Sequence, residues 1–318
     1  ETAGGDVRAG TGEAAGGDVG REVSARRGDA PERGAPDSDG TRPPSRRVAR
    51  APMSAPVGDL ANVMDVSGLK VVVTGGAGGI GAGIARAFAQ RGAAVAVLDI
   101  DVGGGKAVVE ALRESGGDHL FVECDITDRR SVRKAVDSVV DAFDCIDVLV
   151  NNAGIAAVKP FLDMDEDLPE WRRVIDVDLN GTAYMTHAAG NEMRTAGRGG
   201  LIINISSVGG ASCSGSRELP NAAYVAAKAA INHLTKSWAI EFAEHDIRVN
   251  CIMPGPTHSR LDEQLTPEMK ERNTRALLDR RYGEPIEIGA LCVFMASAEG
   301  AHLNGVVIPH DGGFLCVN

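Results

Sequence analysis

From Met64 onward the chain alternates two kinds of segment: short runs rich in β-branched residues, and Ala-rich stretches with the apolar spacing of a helix. "LKVVVTG" is followed by "IGAGIARAFAQRGA", then by "AVAVLDI", then by a helical pattern through Val108–Leu112. "HLFVECDI", "IDVLVNNAG", "GLIINISS", "DIRVNCIMPG" and "GVVIPHDGG" continue the series of strands. Strands that run parallel need a crossover long enough for a helix, so this cadence means βαβ units. The runs are nearly continuous in apolar character, which suits a sheet covered by helices on both faces. The expectation is an α/β fold: a single doubly wound domain over residues 63–318, with a mostly parallel sheet and no internal repeat.

Residues 1–62 read differently. The first 60 hold 11 Gly and 6 Pro and no aromatic residue, too little apolar matter to offset the entropy of ordering, so this extension is expected to be disordered. It has no apolar core of a secretory signal, and its 10 acidic residues against 9 arginines are unlike a transit peptide, so a cytoplasmic location is expected. The extension is expected to carry no function. No apolar run reaches the ~18–20 residues of a membrane span, and a net charge of −11 argues against a nucleic-acid partner. The six cysteines show no metal-ligand spacing and read as buried thiols, and no metal site is expected.

"VVVTGGAGGIGAGIARAF" places Thr74-Gly75, Gly79 and Gly81 between a strand and a helix. Glycines let a tight turn bring a pyrophosphate up to the backbone amides at a helix start, which makes the domain Rossmann-type. Alone the pattern is weak in a chain with 40 Gly; its position gives it meaning. The next strand ends at Asp99, whose carboxylate suits the two ribose hydroxyls of an adenosine and repels a 2′-phosphate. NAD is therefore expected over NADP, with Asp101 close enough to share or blur the role. In "NAAYVAAKAAINHL" Tyr224 and Lys228 lie four apart, on one face of a helix.

These features occur together with others. T-G-x-x-x-G-x-G (74–81), "NNAG" (151–154), "INISS" (203–207), "YVAAK" (224–228), "PGPTHS" (254–259) and "DGG" (311–313) stand in order along residues 64–318, which resemble the short-chain dehydrogenase/reductase family in its compact form. The resemblance implies that Tyr224 is the general acid/base for a substrate hydroxyl and that Lys228, a fixed positive charge, favours its phenolate form. It implies that Lys228 also bonds the nicotinamide ribose and that Ser207 orients the carbonyl; Ser206 is adjacent, but alternation along a strand lets only one of the two face the site. Cofactor contacts are implied at Gly75, Gly79, Ile80 and Gly81, and at Asp99, Asp125 and Ile126. Others are implied at Asn152, Ala153 and Gly154, at Tyr224 and Lys228, and at Pro254, Gly255 and Thr257, with Thr257 or Ser259 offering a hydroxyl. A homo-oligomer, tetramer or dimer, built through the helices carrying Tyr224 and Asp178, is also implied.

Three departures stand out. The family's fourth catalytic position, usually Asn, falls on Asp178 in "IDVDLNGT"; Asp178 either keeps a backbone carbonyl in a proton path to Lys228 or forms an ion pair with it that weakens its pull on Tyr224. Ser207 and Tyr224 are 17 residues apart, longer than is usual in the family, so "ASCSGSRELPN" is expected to shape specificity. Residues 257–282 read as a mobile helical lid. The reading is an NAD(H)-dependent oxidoreductase that interconverts a secondary alcohol and a ketone, its partner a small-molecule alcohol or ketone. Alternatives are a 3-oxoacyl-thioester reductase, which Asp99 disfavours, and a catalytically silent dinucleotide-binding regulator, which Tyr224, Lys228 and Ser207 disfavour.

Overall fold

A computed structural model of the chain describes residues 63–212, 220–262 and 265–317. The disordered extension expected over 1–62 and most of the loop expected to shape specificity lie outside the described residues. Seven strands form one sheet: β1 (Lys70–Thr74), β2 (Ala94–Asp99), β3 (His119–Glu123), β4 (Val148–Asn151), β5 (Gly200–Ile205), β6 (Ile247–Pro254) and β7 (Val307–His310). Their spatial order is β3-β2-β1-β4-β5-β6-β7, and every described pairing is parallel, so the sheet is wholly rather than mostly parallel there.

The crossovers carry helices α1 (Gly79–Gln90), α2 (Val102–Arg113), α3 (Arg129–Phe143), α4 (Pro169–Val174), α5 (Thr182–Ala196), α6 (Ala222–Phe242), α7 (Pro267–Arg275) and α8 (Pro285–Ala296), with a short α9 (Phe314–Val317) after β7. The two-residue period of a strand sends alternate side chains to opposite faces. Val71, Val73, Val95, Val97 and Ile203 pack with Ile84 and Phe88 of α1 and Ile288 of α8. Val72, Ala96, Leu98, Leu149 and Ile202 pack on the other face with Val132 and Val136 of α3 and Met185 of α5. Each of the larger side chains so buried contributes about 1.5–3 kcal/mol, and burial on both faces explains the unbroken apolar runs.

The chain winds outward from β1 to the edge at β3 and restarts at β4 on the other side of β1. That reversal opens a crevice beyond the carboxyl ends of β1 and β4, where ligands bind in doubly wound sheets. Among the described residues no helix is long and apolar enough to cross a membrane. Cys124, Cys145, Cys251 and Cys292 are buried, as the sequence suggests, but Cys316 is exposed; Cys213 lies outside the described residues.

Candidate active site

The crevice is a cleft of about 590 Å³. At one end the turn from β1 into α1 brings backbone close to backbone. Gly75 has φ +63°, and a Cβ on it would stand 2.7 Å from Ala153 Cα. A Cβ on Gly81 would stand 2.2 Å from the Gly75 carbonyl oxygen. Gly81 is buried, and its lack of a side chain keeps the turn compact. Gly78 caps α1 without a side chain, so no side-chain acceptor occupies the amides of the first turn.

The second anchor of the loop is Asn152. Its Nδ2 donates to the Thr74 and Gly75 carbonyls at 3.0 Å each, while Thr74 Oγ1 accepts from the Asn152 and Ala153 amides at 3.0 and 3.1 Å. Gly75, Gly79, Ile80, Asp99, Asp125, Ile126, Asn152, Ala153 and Gly154 all line the cleft. Asp99, at the end of β2, accepts the Ala77 amide on Oδ2 (2.9 Å) and the Asp101 amide on Oδ1 (3.0 Å). Both oxygens are thereby oriented, each keeping a lone pair for a further donor. Asp101 is otherwise engaged: it caps α2 through Gly104 and pairs with Arg260. Asp125 is exposed and accepts from the amide and hydroxyl of Thr127.

Pro254, Gly255 and Thr257 do not line the cleft. The Thr257 hydroxyl is buried and donates to the Gly255 carbonyl at 2.9 Å; Ser259, from the same turn, lines the cleft in its place. Among the described residues of the segment expected as a helical lid, the α-helical part is α7, Pro267–Arg275. It is tied back through Asp262, which meets Lys270 at 3.2 Å and His258 at 3.3 Å.

Beyond Gly154 lies the group that sequence pattern singled out on α6. Tyr224 is half-buried, and Lys228 Nζ stands 5.5 Å from the centre of its ring. Lys228 is buried; its Nζ donates to the Ile205 carbonyl at 3.3 Å and sits 3.1 Å from Asp178 Oδ2. Asp178, fully buried, comes from a π-helical turn, Ile175–Gly181, between α4 and α5, a widening frequent at functional sites. Its Oδ1 accepts the Ile155 amide at 2.8 Å and its main-chain carbonyl accepts the Thr182 hydroxyl at 2.8 Å. Of the two expectations for Asp178, the ion pair is therefore formed. Burial by itself pushes the Lys228 ammonium down, but the Asp178 charge, followed by Tyr224, outweighs it and holds Lys228 above the ordinary lysine range.

The two serines, just past the end of β5, face different surroundings. Ser206 is buried, its hydroxyl donating to the Lys228 carbonyl at 3.2 Å. Ser207 is half-buried and accepts the Gly209 amide at 3.0 Å, so its own proton remains available to an acceptor. Tyr224, Lys228, Ser207 and Asp178 are not part of the cleft lining; Gly154 joins the two regions, since a Cβ there would stand 3.0 Å from Asp178 Oδ2 and 3.1 Å from Lys228 Nζ. Two features have no counterpart in the sequence reading. A buried chain, Thr186–Asn151–Asn204–Thr235, links α5 and α6 through the ends of β4 and β5. Arg260 lies against the glycine turn, its Nη2 donating to the Ala77 carbonyl at 3.0 Å.

The model of a protein family described as enoyl-(acyl carrier protein) reductase matches residues 75–315. A cis-4-hydroxycyclohexanecarboxylate dehydrogenase of Sinomonas cyclohexanicum is 38% identical over 246 residues, 77% of this chain and 96% of the relative. A 2,5-dichloro-2,5-cyclohexadiene-1,4-diol dehydrogenase of Sphingobium indicum is 34% identical over 249 residues, 78% and 97% of the two chains. The crystal structure of a short-chain type dehydrogenase/reductase from Mycobacterium marinum superposes with a TM-score of 0.76 at 34% identity, over 80% of this chain and 98% of that one. Two further solved relatives, each 30% identical, carry NADP in one case and NADH in the other. A glycine turn on an uncapped helix, a Tyr-Lys helix beside it and these likenesses over nearly the whole described chain agree: the chain belongs to the short-chain dehydrogenase/reductase family, nicotinamide-dependent oxidoreductases acting on CH–OH groups.

Proposed function

We propose that residues 63–318 form an NAD(H)-dependent enzyme interconverting a secondary alcohol and a ketone, with Tyr224 as the proton-transferring group. The observation that carries this reading is the buried Lys228 cation, 5.5 Å from the Tyr224 ring and held by Asp178. The residues lining the cleft fit a dinucleotide: the open amides of α1 suit its pyrophosphate, and Asp99 suits the adenosine ribose. The nicotinamide, when bound, supplies the hydride acceptor or donor.

Tyr224 takes the hydroxyl proton during oxidation and returns it during reduction. Lys228 sets a buried positive charge beside the Tyr224 ring, and Asp178 keeps Lys228 charged where burial opposes it. Ser207, whose oxygen is already occupied by an amide, donates its proton to the substrate oxygen and orients it. Asp99 supports NAD over NADP, because an anion with both oxygens fixed by backbone amides repels a 2′-phosphate and cannot turn away. Assembly through α5 and α6 has support in Ile240, an apolar side chain of α6 that is 82% exposed; light scattering would report it.

The test is cofactor reduction, followed by absorbance, across a panel of cyclic and acyclic secondary alcohols. Turnover with NAD+ exceeding that with NADP+, and the preference narrowing in Asp99→Ser, is the expected result. Stronger turnover with NADP+ refutes the cofactor assignment. Dinucleotide binding with no turnover on any alcohol or ketone, including a 3-oxoacyl thioester, refutes the enzymatic one.

A further inference from the structure

The phosphate end of the cleft is electrostatically odd. Asp99 and Asp101 both line the cleft and stand beside the glycine turn, Asp99 through the Ala77 amide and Asp101 through Arg260, so a dianionic pyrophosphate at the start of α1 has two carboxylates nearby to set against a partial positive charge of roughly half a unit. Two cations line the cleft, Arg173 on α4 and Arg260 in the segment after β6. Of these, Arg260 is the one in contact with the glycine turn among the described residues. Its Nη2 donates to the Ala77 carbonyl at 3.0 Å and to Asp101 Oδ2 at 2.9 Å. A Cβ on Gly78 would stand 2.7 Å from its Nε, so the absence of a side chain at position 78 is what admits the guanidinium.

The guanidinium is half used. Nε and Nη1 have no hydrogen bond among the described residues, and the side chain is 55% exposed although it lines the cleft. A planar fork with free donors, on the wall of an anion's binding place, matches phosphate better than it matches the single carboxylate oxygen it now meets. Asp101 does not depend on the arginine for its own placement, since its other oxygen is fixed by Gly104 at the start of α2.

We propose that Arg260 is a phosphate-binding residue of the cofactor site: from its place against the glycine turn, its free donors grip a phosphate of the dinucleotide. This rests on the cleft's being the dinucleotide site. The phosphate has two possible sources, the pyrophosphate common to NADH and NADPH and the 2′-phosphate of NADPH alone.

Equilibrium titration of the full chain with NADH and with NADPH, read by the fluorescence of the reduced nicotinamide and without turnover, separates them. Arg260→Ala should weaken binding about ten- to a hundredfold, the loss of a charge-assisted bond, with Arg260→Lys in between and the loss smaller at high salt. Weakening toward both cofactors identifies the pyrophosphate; weakening toward NADPH alone identifies the 2′-phosphate. Unchanged affinity for both in Arg260→Ala overturns the inference and leaves the proposed function standing. A wild-type chain that binds neither cofactor overturns both.

Discussion

Asp178→Asn removes a charge and keeps a shape. The amide retains an oxygen for the Ile155 amide, now bonded to Oδ1 at 2.8 Å, so what is lost is the attraction to Lys228 Nζ at 3.1 Å. At an effective dielectric of about 20 that attraction is about 5 kcal/mol, and removing one member of a buried pair costs about 3–5 kcal/mol because the other charge stays buried without compensation. The deficit has a pH signature. Burial pushes Lys228 down, but Asp178 and then Tyr224 overcome it, and the folded chain holds the proton more tightly than the unfolded one. A raised lysine stabilises the fold at any pH below its ordinary value of about 10.4, and that contribution fades as pH climbs through the folded value. In Asp178→Asn the buried charge becomes a penalty at neutral pH, relieved as the lysine deprotonates. Urea unfolding at pH 7 should show a loss of about 3–5 kcal/mol, shrinking at about pH 10.5. A variant within about 1 kcal/mol of wild type at pH 7, or a deficit equal at both pH values, refutes the argument that this pair is held by charge.

Gly154→Ala would wedge a methyl group 3.0 Å from Asp178 Oδ2 and 3.1 Å from Lys228 Nζ; turnover should fall about tenfold with the melting temperature little changed, checked by kinetics and calorimetry side by side. Arg248→Met strips donors from the Met295, Gly300 and Leu303 carbonyls around the end of α8. Denaturant unfolding should show a loss of about 2–4 kcal/mol, and activity per folded molecule should be unchanged. A chain beginning at residue 63 should match the turnover of the full chain; a clear loss would give residues 1–62 a function.

The alternation from "LKVVVTG" onward was enough to read the sheet, because strands buried on both faces have no polar side to interrupt them. Tyr224 and Lys228 were legible because a helix fixes the relation of residues four apart. Asp178 was legible only as two alternatives: its reach to Lys228, 50 positions away, depends on a π-helical turn whose local sequence, "IDVDLNG", has no distinguishing periodicity. Thr257 shows another limit, since a motif gives residue order and not which way a hydroxyl turns. Arg260 left no trace at all. Its partner Ala77 is 183 positions away, and a single arginine among mixed charges carries no pattern until the fold brings the segment after β6 to the glycine turn.

The proposed chemistry needs a phenol that moves protons beside a buried cation, and Tyr224→Phe removes that phenol's hydroxyl alone. The hydroxyl has no hydrogen-bond partner among the described residues, so its removal should spare the fold. With NADH affinity unchanged by fluorescence titration, turnover of a confirmed secondary alcohol should drop about 10²- to 10⁴-fold. Turnover within about twofold of wild type, at equal cofactor affinity, would contradict the assignment of Tyr224.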